Sequence, residues 1–376
     1  VAERCRFEDN ELAGMIRCRE PALEDSQDGY CLLHSKNLQK DKRLFRRRLA
    51  EQMKGEGENR PWDFTAYVFP AGWGSWPELL AATGFPPRPV CFRQATFQGD
   101  EDFGQVIFNG EARFTGASFN GQASFYRCRF NDTAIFDRTE FGDYTDFTQA
   151  QFKRNAVFAR ALFHRDGIFY AARFHHRASF REARFEQAAD FRDVQFNRDC
   201  YFDGVSFESL GTEGHVFSLL SKAWERMGNR ERADEYYHKH KVAHRNRQYE
   251  MVAEKLPLWH PRRITASLKW FLEWLLADAT CAYGTSWKRV LLAWAVLVAG
   301  FAAVFWLGRG ILRPDGLNTA SVWQSLYFSI VTFSTLGYGD FTPTSGAFQF
   351  LAGLEALSGA FMMALFVAVF GRQFMR

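Results

Sequence analysis

The chain has little excess charge. Its 47 Lys and Arg residues stand against 43 Asp and Glu, a formal balance of +4, which is too small a bias to call for a polyanionic partner. No basic and then apolar leader opens it, because residues 1–10 are polar and charged, so the N-terminus is expected in the cytoplasm. The missing initiator Met reads as trimming or a chosen boundary. There is no phosphate-cradling glycine loop, no Ser-His-Asp set and no pair of carboxylates that stands out, so an enzyme is not expected. Cysteine is sparse and never paired as C-x-x-C.

The front of the chain nevertheless gathers Cys5, Cys18, Cys31 and His34. Three thiols and an imidazole would complete a tetrahedral Zn2+ shell, and the Cys31-x-x-His34 pair has a spacing that lets both side chains grip one ion. A segment as short as residues 1–40 cannot build a sufficient core, so a structural zinc would supply its folding energy. No helix with base-reading side chains follows, and the basic run at residues 42–48 reads as a solvated helix face, so nucleic acid is not an expected partner. Residues 41–90 read as a linker, since KGEGENRPW and FPPRP carry the glycine, charge and proline that end regular structure, while Trp62, Trp73 and Trp76 suggest packing on a neighbour.

From Phe92 to Phe207 phenylalanine recurs in steps that alternate five and six, giving an eleven-residue unit. Two positions before nearly every Phe stands a small residue, as at Ala95, Ala112, Cys128 and Cys200, with Glu101 the clear exception. A helix would need apolar residues three or four apart, so this period excludes one. The remaining solution is a solenoid whose short sides each bury one Phe and one small residue. The run resembles the pentapeptide-repeat family, which implies a right-handed quadrilateral β-solenoid over residues 91–210. That would give roughly 22 residues per coil and about five coils, rising about 4.8 Å each. His164, His175 and His176 fall between Phe positions and read as surface residues, while Cys128 and Cys200 read as inert core thiols. The mixed Arg, Asp and Glu surface argues against the duplex mimicry known in some members of that family.

Residues 215–256 show helical spacing broken at Gly228-Asn229 and read as a helical hairpin connector. Residues 262–280 place Ile264, Leu268, Phe271, Leu272, Leu275 and Leu276 on one side, with Arg262 and Arg263 ahead, as suits an amphipathic helix in a membrane interface. Residues 290–307 carry no charge and follow Trp287-Lys288-Arg289, marking a bilayer span over 288–308 that starts in the cytoplasm. A second span over 346–371 is followed by Arg372 and Arg376, which puts both termini inside a multi-pass protein.

Between the spans, residues 323–334 are rich in aromatics yet too short to cross, as a re-entrant pore helix would be. Then come Thr335, Leu336, Gly337, Tyr338, Gly339 and Asp340. Gly337 and Gly339 can take φ > 0, so successive carbonyls can face one side and replace the water shell of a dehydrated cation. This hexapeptide, with its flanking spans over residues 284–376, resembles the filter of the potassium-channel family, with Leu336 where the commonest form has Val. The resemblance implies a homotetrameric two-span channel holding K+ in the filter, in a cell or inner membrane, with no voltage-sensing span and an architecture that suggests a prokaryote. It assigns Tyr327 and Phe328 as filter support. Glu355, an acid inside a span, should face protein or water, either holding the back of the filter as support or sitting near the cavity to attract cations. Gly359 would be an inner-helix hinge, with helix packing the alternative. The solenoid would then sense a cytoplasmic ligand or protein, or merely assemble the tetramer. The other readings are a non-selective cation channel and a membrane-anchored interaction scaffold.

Overall fold

The computed structural model describes residues 8–9, 16–17, 30–36, 40–55, 62–83, 89–208, 212–257, 259–313 and 320–374. They divide into two compact units, Val1–Tyr236 and Tyr237–Arg376.

The first unit is a four-sided β-solenoid. Its two-residue strands form four parallel sheets of seven, five, five and seven strands. Each strand pairs with the one a full coil away, as Ser118 with Thr96 and Phe119 with Phe97, and side chains 22 apart meet, as Asn131 with Asn109. Ladder spacing then dictates ring spacing. Phe114, Phe136, Phe158 and Phe180 form one column with centroids 4.7, 4.8 and 4.9 Å apart and planes within 4° of parallel. Rings of neighbouring columns meet edge to face, as Phe125 with Phe136 at 5.4 Å and 85°, which is the arrangement aromatic quadrupoles favour. The small residues two places earlier leave room for the rings, and Cys128 and Cys200 do this while fully buried. Burial pushes the Cys200 thiol up to about 12, so these sulfurs are poor nucleophiles.

Each five-step side turns through a left-handed residue, repeated every eleven positions from Gln94 through Arg127 and Arg138 to Asp193. Only Gly116 and Gly204 relieve that conformation within the series, so most corners accept a cost of about 1–2 kcal/mol each. The extra residue of the alternating step lies at the other corners, which have no such turn.

The N-terminal end differs from the expected linker. Residues 41–90 supply helix α1 (Lys42–Gly55), helix α2 (Trp76–Thr83) and two strands that extend the sheets, Trp62 pairing with Val90 and Val68 with Thr96. Phe69 stacks under Phe97 at 4.6 Å and Trp76 under Phe103 at 5.2 Å, so out-of-period aromatics continue two columns and cover the open end. This cap also accounts for Glu101. The indole N–H of Trp73 donates to its Oε1 at 3.0 Å and that of Trp76 to its Oε2 at 3.1 Å.

The zinc expectation is overturned. Among the described residues no group of three or more His, Cys, Asp or Glu side chains is placed to hold a metal ion. Cys31 and His34 lie in one buried turn, with Sγ and Nδ1 3.1 Å apart in a hydrogen bond, and the imidazole meets Tyr67 edge-on. The i, i+3 spacing thus serves a local bond and packing in the cap; Cys5 and Cys18 lie outside the described residues.

At the other end, helix α3 (Thr212–Arg226) lays Val216, Leu220, Ala223 and Trp224 into the solenoid core, joined by Ala233 and Tyr236 of helix α4 (Arg230–Ala253).

The second unit contains residues 237–253 of α4, helix α5 (Pro261–Glu273), a wide turn of π-helix at Trp274–Ala279, and helices α6 (Trp287–Leu307), α7 (Val322–Phe333) and α8 (Gly346–Phe374). The amphipathic segment is therefore not one regular helix. Its π turn carries Asp278 inward to His238 at 2.8 Å and to the guanidinium groups of Arg245 at 2.8 Å and Arg289 at 3.4 Å. Burial alone would push this carboxyl up, but the bonds from His238 and Arg245 outweigh it and hold Asp278 below the usual carboxylate range.

Two outcomes follow for the solenoid. Phe136→Ala, at a fully buried site, should cost about 3–5 kcal/mol in urea unfolding, and a change under about 1 kcal/mol would mean the column is not closely packed. Burial pushes Glu101 up to about 8 from 4.5, so the folded cap binds a proton that the unfolded chain releases across that window. Stability from this group should be full below pH 4.5, fall as pH rises toward 8 and then level off. Tryptophan emission during urea unfolding reads this out, and Glu101→Gln should flatten the slope; an unchanged slope would assign it elsewhere.

Candidate functional site

Helices α6 and α8 are long and apolar enough to cross a membrane, and α7 packs between them. A capping box starts α7: Ser321 Oγ accepts from the backbone N–H of Gln324 at 3.3 Å, and the Gln324 side chain accepts from the N–H of Ser321 at 2.8 Å. Those bonds satisfy orphan donors that an apolar setting would penalise. The helix stops at Ser334, whose hydroxyl donates back to the carbonyl of Ile330 at 2.7 Å.

The loop that follows alternates its backbone hand. Thr335, Gly337 and Gly339 have φ of 57°, 56° and 78°. Glycine takes this region at no steric cost, while Thr335 is strained there. The loop presents an open face: Leu336 and Tyr338 are 60% and 68% exposed, and a Cβ on Gly337 or Gly339 would meet nothing within 4 Å. Beyond it, Thr342–Pro343 pairs antiparallel with Ile311–Leu312, which ties the exit of the loop to the end of α6.

The three residues expected to support the loop lie on α7 and α8 with separate partners. The Tyr327 ring meets that of Phe341, the residue after Asp340, at 5.9 Å. Phe328 is buried and stands edge-on to Phe305 of α6 at 5.0 Å. Glu355 of α8 is fully buried against the Ser329 hydroxyl of α7, which donates to the Val298 carbonyl of α6 at 2.9 Å. One serine therefore joins all three helices. Sequence reasoning missed Ser329 because a lone hydroxyl in an apolar helix is common; the available signal was Ser325 and Ser329 four apart, both fully buried. It also missed the Asp278 cluster, whose members are scattered over some fifty residues and form no motif.

Gly359 is held by a close approach. A Cβ there would lie 1.9 Å from the carbonyl oxygen of Phe333, at the end of α7, whereas one on Gly353 would meet nothing within 4 Å. Helix α8 runs unbroken past Gly359.

Comparison with known proteins divides the chain in the same way. Residues 289–376 match the family model described as ion channel. Residues 87–129, 125–173 and 169–211 match pentapeptide repeats. Neither is a family of enzymes. Over 97 residues the chain is 34% identical to the potassium voltage-gated channel protein Shal of Drosophila melanogaster, covering 26% of this chain and 16% of that protein. Over 85 residues it is 33% identical to a putative potassium channel protein of Rhodopseudomonas palustris, covering 23% and 20%. Over 72 residues it is 38% identical to two-pore potassium channel 1 of Arabidopsis thaliana, covering 19% of each. The chain thus spans a fifth or less of the length of these relatives, and no solved structure matches it. On these matches and this geometry, the chain carries a β-solenoid that matches pentapeptide repeats, followed by a region similar to ion channels, potassium channels among them, that holds two helices of membrane-spanning length.

Proposed function

We propose that four copies of this chain assemble in a bilayer, with both termini cytoplasmic, to form a potassium-selective channel. The observation that carries this reading is the loop from Thr335 to Asp340, strung between α7 and α8 with alternating left-handed residues and one face uncovered. A single chain supplies one quarter of an oxygen ring, so closed fourfold symmetry is needed to surround a bare cation. The carbonyls of Thr335, Leu336, Gly337 and Tyr338 would line the path, and the negative end of α7 would favour a cation below it. The stripe of Phe350, Leu354, Leu357 and Phe361 along α8, all exposed in one copy, supplies apolar surface for neighbouring copies or lipid to cover.

Tyr327 and Asp340 would brace the filter from outside, with Phe328, Ser329 and Glu355 holding α7 between the spans. Gly359 would serve packing more than hinging, since its neighbour is a backbone carbonyl rather than open space. Leu336 in place of the commoner Val favours one second reading, a pore less strict between cations.

Purified protein in liposomes should pass potassium well over tenfold faster than sodium, and Gly337→Ala should abolish the flux. Equal sodium flux would leave a non-selective pore, and cross-linking that yields only monomers would remove the channel reading altogether. Gly359→Ala should abolish flux or tetramer formation, because its methyl has nowhere to go, while Gly353→Ala should keep most of both. Equal tolerance of the two would show that α7 does not need this approach.

A further inference from the structure

Between the flank of the last coils and helix α3 lies a cleft of 820 Å³, within the range of small-molecule sites. Its helical wall is one stripe of α3, His215, Ser218, Leu219, Lys222 and Arg226, at spacings of three and four that share a face. The adjoining face of the same helix is buried in the solenoid core, with Ala223 shared between the two. The other wall is a stretch of coil from Arg192 to Phe196, with Tyr170 one coil below Arg192.

The charge of this cleft is one-sided. Arg192, Lys222 and Arg226 are full cations, and Asp193 is the single acid in the lining. Arg192 is neutralised in part by Asp190, at 2.7 Å, and leans over the Tyr170 ring at 5.9 Å. Lys222 and Arg226 have no ion pair or hydrogen bond among the described residues. Two like charges four apart on a helix repel, so keeping them unpaired on a concave wall costs stability and calls for an anion. The lining also has an apolar part, Val194, Leu219 and Phe196, and Tyr170 presents a ring that is 38% exposed.

We infer that the cleft binds a nucleotide-sized organic phosphate, a nucleoside di- or triphosphate in chemical class. Phosphate oxygens are the compact polyanion that guanidinium forks and a lysine ammonium recognise in a small space. The Tyr170 ring and the apolar lining suit a flat heterocycle, and Ser218, Gln195 and Asp193 offer hydrogen bonds to its sugar or base. The site lies within the first unit and goes beyond the channel reading, on which it does not depend.

Isothermal titration of the full-length protein with ATP tests the inference without any ion flux, so its failure is separate from failure of the pore. Saturable binding with a Kd in the range of about 10–300 μM is expected at low salt. Lys222→Ala and Arg226→Ala, both at exposed positions, should each weaken it about tenfold or more, with unchanged circular dichroism, while Arg177→Ala elsewhere on the solenoid should leave it unaltered. No saturation up to about 5 mM, or equal affinity in the Lys222 and Arg226 variants, overturns the site. Inorganic pyrophosphate binding as tightly as ATP overturns the organic part of the assignment.

Discussion

The helical region that matches ion channels depends on one contact between backbones. The carbonyl oxygen of Phe333 occupies the place where any side chain at position 359 would begin, so α7 and α8 can approach only because that residue is glycine. This approach fixes where α7 ends, and therefore where the Thr335 to Asp340 loop begins. The Ser329 hydroxyl, shared between Val298 and Glu355, holds the same helix against both spans. In an apolar medium such polar links are expensive to leave unsatisfied, which makes the arrangement specific as well as tight.

The solenoid rests on a different constraint. Its strands are only two residues long, so no single strand could hold itself together. Stability comes instead from repetition, with each ring stacked at the distance the hydrogen-bond ladder imposes, and from two ends that are closed by unlike means. Indoles and a buried carboxyl seal one end, and a helix face seals the other. Terminal caps of this kind are what repeat architectures need to stay soluble.

Much of this was legible in the residues, and the limits have physical reasons. The Phe period declares the solenoid because each ring must return to the interior after one side of a coil. The two spans declare themselves by length and lack of charge, and the loop by two glycines around a tyrosine. The cap was hidden because Phe69 and Trp76 continue the ring columns from outside the period. The left-handed corners were hidden because Gln, Arg and Ala occupy most of them instead of glycine. Cys31 and His34 misled for the opposite reason: their spacing suits a metal, but it equally suits one local hydrogen bond in a turn. Asp278 gathers its partners by folding alone, through a π turn that periodicity cannot announce.

The coil length of the solenoid carries a last consequence for how such a rod can change over time. Because every ring is registered to one a full coil away, the rod can grow or shrink only in whole turns. A duplicated coil would slide into the stack without disturbing its neighbours, whereas one inserted residue within a turn would swing the following rings out toward water. The length of this domain is in effect counted in integers, and the unlike closures at its two ends can stay constant while the number of turns between them varies.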